Sequence, residues 1–221
     1  MTRTCVRLFP IAVATLLPAA FSACSSTSMA IKEQFGYAKR EQLVDKVESA
    51  RDGQQEAKQQ FESALQEFLS VTGTPGTELE TKYNKLKKEY DRSESRAATV
   101  RSRITDVERV GEALFKEWKQ ELTQYSSDSL RRASEQQLNT TRTQYDKLIG
   151  VMKAASSKMD PVLTAFKDQV LFLKHNLNAQ AISSLQATAG QIQGDVSALV
   201  RDMEASIAEA NSFIQQMQAA K

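Results

Sequence analysis

The amino-acid sequence predicts an all-α protein: an elongated antiparallel helical bundle or coiled coil of about four long helices. Apolar residues recur at alternating spacings of three and four over most of residues 33–221, the pattern of helices that bury one stripe against a neighbour. Ala, Gln, Glu, Lys and Leu, all good helix formers, are frequent in the same region. No stretch alternates apolar and polar residues between turns, as the strands of a sheet would.

The first 23 residues are typical of an export signal. Arg3 and Arg7 form a positively charged beginning, and an apolar run follows over residues 8–21. This run is shorter than the roughly 20 apolar residues that a membrane-spanning helix needs, and its layout is that of a signal peptide. It ends in the letters FSAC at residues 21–24, which match the lipobox of a bacterial lipoprotein.

Cys24 is therefore predicted to be a lipidation site and the first residue of the mature protein. Phe21 is unsuited to ordinary signal cleavage, which needs a small residue at that place, whereas a lipobox tolerates a larger apolar one. The alternative, a plain signal peptide with Cys24 left over, stays open. Cys5 would leave with the signal, so the exported chain would contain no disulfide. Ser25, directly after the cysteine, resembles the default for sorting to the outer membrane of Gram-negative bacteria.

Residues 24–32 are predicted to be the lipidated N-terminus with a short Ser-rich tether, and residues 33–221 a single helical-bundle domain. Arg3 and Arg7 are two of the 29 basic residues, so residues 24–221 balance the 27 acidic residues with as many basic ones. A neutral chain with interspersed charges argues against nucleic acid or a strongly anionic surface as partner.

Helix one is predicted over residues 33–71, ending at the Gly- and Pro-containing turn of residues 72–76. Thr77 followed by Glu80 predicts a capping box that begins helix two. The apolar seam of helix one consists of Val47, Ala50, Gln54, Ala57, Phe61, Ala64, Phe68 and Val71.

Helix two has the most regular pattern, six heptads that indicate a coiled-coil surface with left-handed supercoil. Trp118 ends this seam and is predicted to be buried by a facing helix. The frame then shifts, which predicts a tight turn at residues 126–129. The seam consists of Leu79, Tyr83, Leu86, Tyr90, Ser93, Ala97, Val100, Ile104, Val107, Gly111, Leu114 and Trp118.

Helix three carries a new heptad frame that continues through Pro161. A proline inside a helix removes one hydrogen bond and clashes with the preceding turn, so the helix either kinks there or breaks, with Asp160 as cap and Pro161 in a first turn. The seam consists of Leu138, Thr141, Tyr145, Leu148, Met152, Ala155, Met159, Val162, Phe166 and Leu173.

Helix four follows a second frame shift at residues 174–178. Four helices of about 40–45 residues are roughly 60–65 Å long, and short turns join them as an antiparallel bundle. One shared core with a projecting hairpin is the alternative. The seam consists of Ile182, Leu185, Ala189, Ile192, Val196, Leu199, Met203, Ser206, Ala210, Phe213 and Met217.

His175 is the only histidine, and without a cluster of cysteines or carboxylates it does not make a zinc site. Lys174 and His175 are predicted to end helix three, where positive charge offsets the helix dipole. The chain has no Gly-rich phosphate loop, and every serine–histidine–acid set would have to use His175. The sequence therefore predicts no catalytic, cofactor-binding or metal-binding residue, no cofactor and no enzymatic activity.

Three stretches resemble a bacterial family known only as domain-of-unknown-function family 2959. They are KREQLVDKVESARDGQQEAKQQFESALQEF at residues 39–68, FLKHNLNAQAISSL at residues 172–185 and DVSALVRDMEASIAEANSFI at residues 195–214. The resemblance extends over nearly the whole mature chain. It implies a helical envelope protein of proteobacteria and brings no activity, substrate or catalytic residue with it.

The predicted function is that of a non-enzymatic, membrane-anchored helical lipoprotein that acts as a structural or protein-interaction scaffold in the bacterial cell envelope. Its expected location is the outer membrane, facing the periplasm, with the membrane as partner through the lipid on Cys24. Other envelope proteins are expected to bind its coiled-coil surfaces, homo-oligomers stay open, and no nucleic acid is expected. The alternative function is a periplasmic helical chaperone or membrane-remodelling module.

Overall fold

The computed structural model describes residues 39–73, 78–176 and 179–219, and all of its regular elements there are helices. The predicted all-α class is confirmed. A 3₁₀ turn, Leu122–Gln124, follows the second helix. The α-helices are α1 (Lys39–Gly73), α2 (Leu79–Glu121), α3 (Asp128–Ser157), α4 (Met159–His175) and α5 (Ala179–Ala219).

The helices form a four-sided antiparallel bundle in which α3 and α4 together make one side. α1 packs against α2 and α5, and the α3–α4 side packs against the same two helices. Ion pairs show that neighbours run in opposite directions. Lys39 at the start of α1 lies 2.7 Å from Glu117 near the end of α2, whereas Glu67 near the end of α1 lies 3.5 Å from Lys85 near the start of α2.

The predicted seams form the core. All eight seam residues of α1 and all ten on the α3–α4 side are buried. The exceptions are in the other two helices, where five seam residues are only partly buried, three of them toward the ends of α2. These exceptions are Leu79, Tyr83, Tyr90, Trp118 and Ala189.

Pro161 coincides with an interruption of one residue rather than a bend inside a continuous helix. α3 ends at Ser157, Lys158 stands alone, and α4 begins at Met159. Pro161 thus occupies the first turn of α4, where its missing N–H leaves no hydrogen bond unmade. Asp160 is already helical and is not the cap. The seam continues across the interruption because Met159 is fully buried.

Ion pairs hold the interruption on both of its outer sides. Arg101 of α2 pairs with Asp160, and Lys158 pairs with Asp202 of α5. All four side chains are substantially exposed, so each pair contributes at most about 1 kcal/mol. The two pairs link the interruption to α2 and α5, and they contribute little to the free energy of unfolding.

The turn between α2 and α3 lies at residues 125–127 and overlaps the predicted turn at residues 126–129, whereas residues 177–178 of the other predicted turn lie outside the described residues. Ser127 caps α3 by accepting a hydrogen bond from the backbone N–H of Leu130 at 3.4 Å. The residue before α2 is Glu78, which makes no side-chain cap bond, and the capping box predicted for Thr77 and Glu80 stays a prediction. Thr77 itself lies outside the described residues.

A polar pair interrupts the otherwise apolar contact of α1 with α5. Gln54 and Ser206 are both fully buried, and the hydroxyl of Ser206 donates to Oε1 of Gln54 at 2.8 Å. A buried polar pair of this kind fixes helix register, because sliding either helix would leave both groups unpaired in an apolar seam.

An aromatic cluster joins α2, α3 and α5. The ring of Tyr145 packs edge-on against Phe115, with centroids 5.2 Å apart, and tilted against Phe213 at 6.5 Å. Its other neighbour is Gly111, where an added Cβ would lie 2.5 Å from Cζ of Tyr145. The absence of a side chain at Gly111 is therefore what lets this ring enter the core.

Candidate functional site

The predicted lipidation site, Cys24, lies outside the described residues, but the structure shows which end of the bundle the N-terminal chain enters. Lys39 contacts Glu117 of α2, and Arg40 donates from Nη2 to the backbone oxygen of Met217 at 3.0 Å. The start of α1, the end of α2 and the end of α5 therefore meet at one end of the bundle, which we call the Lys39 end.

The connection from α2 to α3 projects at this end. Residues 119–137, here called the α2–α3 tip, comprise the end of α2, the turn and the start of α3, next to Glu117, which contacts the first described residue of α1. From Ser134 back to Asp128 the α3 helix rises about 9 Å at 1.5 Å per residue. Most side chains of the tip are exposed.

Trp118 lies at the base of the tip and is only partly buried, so the prediction that a facing helix buries it is wrong in degree. Its indole Nε1–H donates to the hydroxyl of Ser134 on α3 at 2.9 Å. The heptad spacing identified the direction of the side chain. It did not show how completely other side chains cover the ring at this end of the bundle.

The opposite end of the bundle also exposes apolar side chains. Leu171 and Phe172 in the last turns of α4 are 45% and 39% exposed. The end of α1 lies there too, since Nε2 of Gln186 donates to the backbone oxygen of Thr72 at 2.6 Å. Exposed apolar side chains thus occur at both ends of the described bundle, and only the Lys39 end receives the N-terminal chain.

Two open grooves on the described surface are small. An open groove of about 220 Å³ lies between α2 and α3 beside Ile104 and Ser156, and another of about 260 Å³ lies at Tyr125. Sites for small molecules have about 300–1,000 Å³ and enclose most of the ligand. Lys153 and Glu108 both line the first groove, and they already pair with each other at 2.7 Å.

Tyr145 and Asp106 have shifted pKa values that follow from burial and from ion pairing. Burial raises the pKa of Tyr145 to about 12, which keeps the phenol neutral and unavailable as a base. A hydrogen bond from Arg109 is the main cause that lowers the pKa of Asp106, and Lys46 acts in the same direction. Neither group lies in a cleft with a partner that would make it a general acid or base.

His175 lies in the last turn of α4 beside Lys174, where the two basic residues face the negative end of the helix dipole. Within residues 39–73, 78–176 and 179–219 no three His, Cys, Asp or Glu side chains come together as metal ligands. In the same part of the chain no helix is long and apolar enough to cross a membrane.

The fold and its surfaces define a class: an antiparallel bundle of long helices with coiled-coil seams, closed around its own core and paired by charge on its outside. A family model identifies the particular family within that class. The family described as a protein of unknown function (DUF2959) matches residues 29–217, and the chain belongs to it. Comparison with curated proteins and with solved structures gave no match.

Proposed function

We propose that this protein is a non-enzymatic lipoprotein of the bacterial cell envelope, held to a membrane by lipid on Cys24, and that its bundle is a structural or protein-interaction scaffold. The outer membrane, with the bundle in the periplasm, is the proposed location. The lipobox at residues 21–24 supports the anchor.

The scaffold role is supported by the pairing of charged side chains on the outside of the bundle. Charged side chains on neighbouring helices pair across the outside of the bundle, as Lys58 does with Glu204 at 3.0 Å and Lys147 with Glu209 at 2.7 Å. The interior is filled by close-packed apolar residues. Such an arrangement supports holding a fixed shape and offering long faces to other proteins rather than enclosing a substrate.

The lipid anchor is tested by labelling cells with a clickable fatty acid. The wild-type chain should incorporate the label and Cys24→Ser should not, because a thioether needs the thiol. Cys5→Ser is the matched control, since it removes the other cysteine of the chain and should leave labelling unchanged. Equal labelling of the wild type and Cys24→Ser would disprove the anchor.

The scaffold role is tested by placing a photo-crosslinking amino acid, in the envelope of living cells, at exposed positions on three helices: Gln66, Lys88 and Arg201. A scaffold should give discrete adducts of higher mass from at least one of these faces. The same amino acid at Leu199, which is fully buried in the core, is the control and should give none. No adduct from any exposed position would contradict the scaffold role.

A further inference from the structure

The α2–α3 tip exposes two large apolar side chains to solvent. Leu130 is 60% exposed and Tyr125 is 42% exposed, on the two sides of the turn between α2 and α3. Tyrosine and tryptophan are favoured where one end of a ring is apolar and the other is wet, as at the surface of a bilayer. Trp118 at the base of the tip keeps its polar N–H bonded to Ser134.

The position of the tip relative to Cys24 favours a bilayer as the partner of these side chains. Lys39 is 15 residues after Cys24, so at about 3.6 Å per residue the chain between them spans at most roughly 54 Å. α2 alone, with 43 residues, is about 65 Å long. Lipid on Cys24 therefore holds the Lys39 end within about 54 Å of a bilayer, less than the length of α2, and the tip is the part of the described bundle that projects beyond Lys39 at that end.

The charges of the tip indicate which kind of contact this is. Residues 119–137 contain three basic and three acidic residues, and Arg131 lies 3.4 Å from Asp128 and 3.8 Å from Glu135. A surface with balanced charges gains little from anionic headgroups. Two apolar side chains would bind a free bilayer weakly, but a tether raises their effective concentration at the surface and makes a weak contact sufficient.

We propose that the α2–α3 tip, through Tyr125 and Leu130, inserts into the surface of the bilayer that holds the lipid on Cys24. The proposal rests on the lipid anchor of the proposed function. The occupant of this apolar surface is the bilayer itself, zwitterionic lipid included, and not another protein.

Tryptophan fluorescence tests the contact in the full lipidated chain, reconstituted into phosphatidylcholine vesicles with brominated acyl chains. Trp118, the single tryptophan, is replaced by phenylalanine, and Leu130→Trp or Phe172→Trp then places the sole indole at the tip or at the opposite end. Both positions are exposed, so both substitutions should leave the fold intact. Relative to unbrominated vesicles, the Leu130→Trp chain should lose most of its emission and the Phe172→Trp chain should lose little.

Flotation of the vesicles separates failure of the anchor from failure of the contact. A chain that floats with the vesicles but keeps its emission in the Leu130→Trp variant has an anchor and no tip contact, which overturns the proposal alone. Equal quenching of the two variants means that the bundle lies along the bilayer, which also overturns it. A full chain that carries no lipid and does not float disproves the anchor, and the tip contact is then wrong with it.

Discussion

Phe68→Ala should lower the free energy of unfolding by about 3–5 kcal/mol, because it removes a buried aromatic ring and leaves a cavity. The ring is fully buried and meets Phe166 of α4 edge-on, with centroids 6.1 Å apart. The enclosed space beside it, lined by Ala64 and Leu86, is too small for a water molecule, so neither water nor a neighbouring side chain is in place to fill the new cavity.

Phe172→Ala is the matched control, since it deletes the same ring from a half-exposed position in the last turns of α4. Its effect should stay within about 0.5 kcal/mol, as for other surface substitutions. Urea denaturation followed by circular dichroism gives both values. Similar losses for the two variants would mean that the α1–α4 contact is not part of the cooperative core.

Gly111→Ala and Gly150→Ala should change stability in opposite directions, although both replace a glycine inside a helix. At Gly111 the new methyl group meets the ring of Tyr145, which Phe115 and Phe213 prevent from moving aside. Overpacking of this kind costs about 1–3 kcal/mol and outweighs the gain in helix propensity, which is at most about 1 kcal/mol.

At Gly150 nothing lies within 4 Å of the added Cβ, so only the gain in helix propensity remains, about 0.5–1 kcal/mol. Thermal melting of the two variants beside the wild type measures the difference. A stabilised Gly111→Ala would show that α2 and α3 are farther apart than the close packing of Tyr145 requires.

The fold could be predicted from the sequence because heptad spacing reports burial directly. Each of the ten seam positions from Leu138 to Leu173 is buried, although the helix is interrupted between them at Lys158. A one-residue interruption changes hydrogen bonding without rotating the apolar stripe, so the spacing alone could not distinguish a kink from a break at Pro161.

Other features depend on which helices are neighbours, and spacing carries no such information. Gly111 fits the seam of α2 by position, but the reason for a glycine there is the ring of Tyr145, 34 positions later in the chain. The partial exposure of Trp118 depends on how far α1 and α5 extend. The lipid anchor, by contrast, was predicted from local letters alone, and it stays a prediction.

The contact of α1 with α5 has a consequence for how the chain folds. Arg40 meets Met217 and Gln54 meets Ser206, so the first described helix packs along nearly the whole of the last one. Bringing such distant segments together costs loop-closure entropy before any contact repays it. The apolar seam of α1 therefore stays partly uncovered until the last helix has been synthesised, and a chain truncated before Ala179 would present that seam to solvent and to any holdase that protects it.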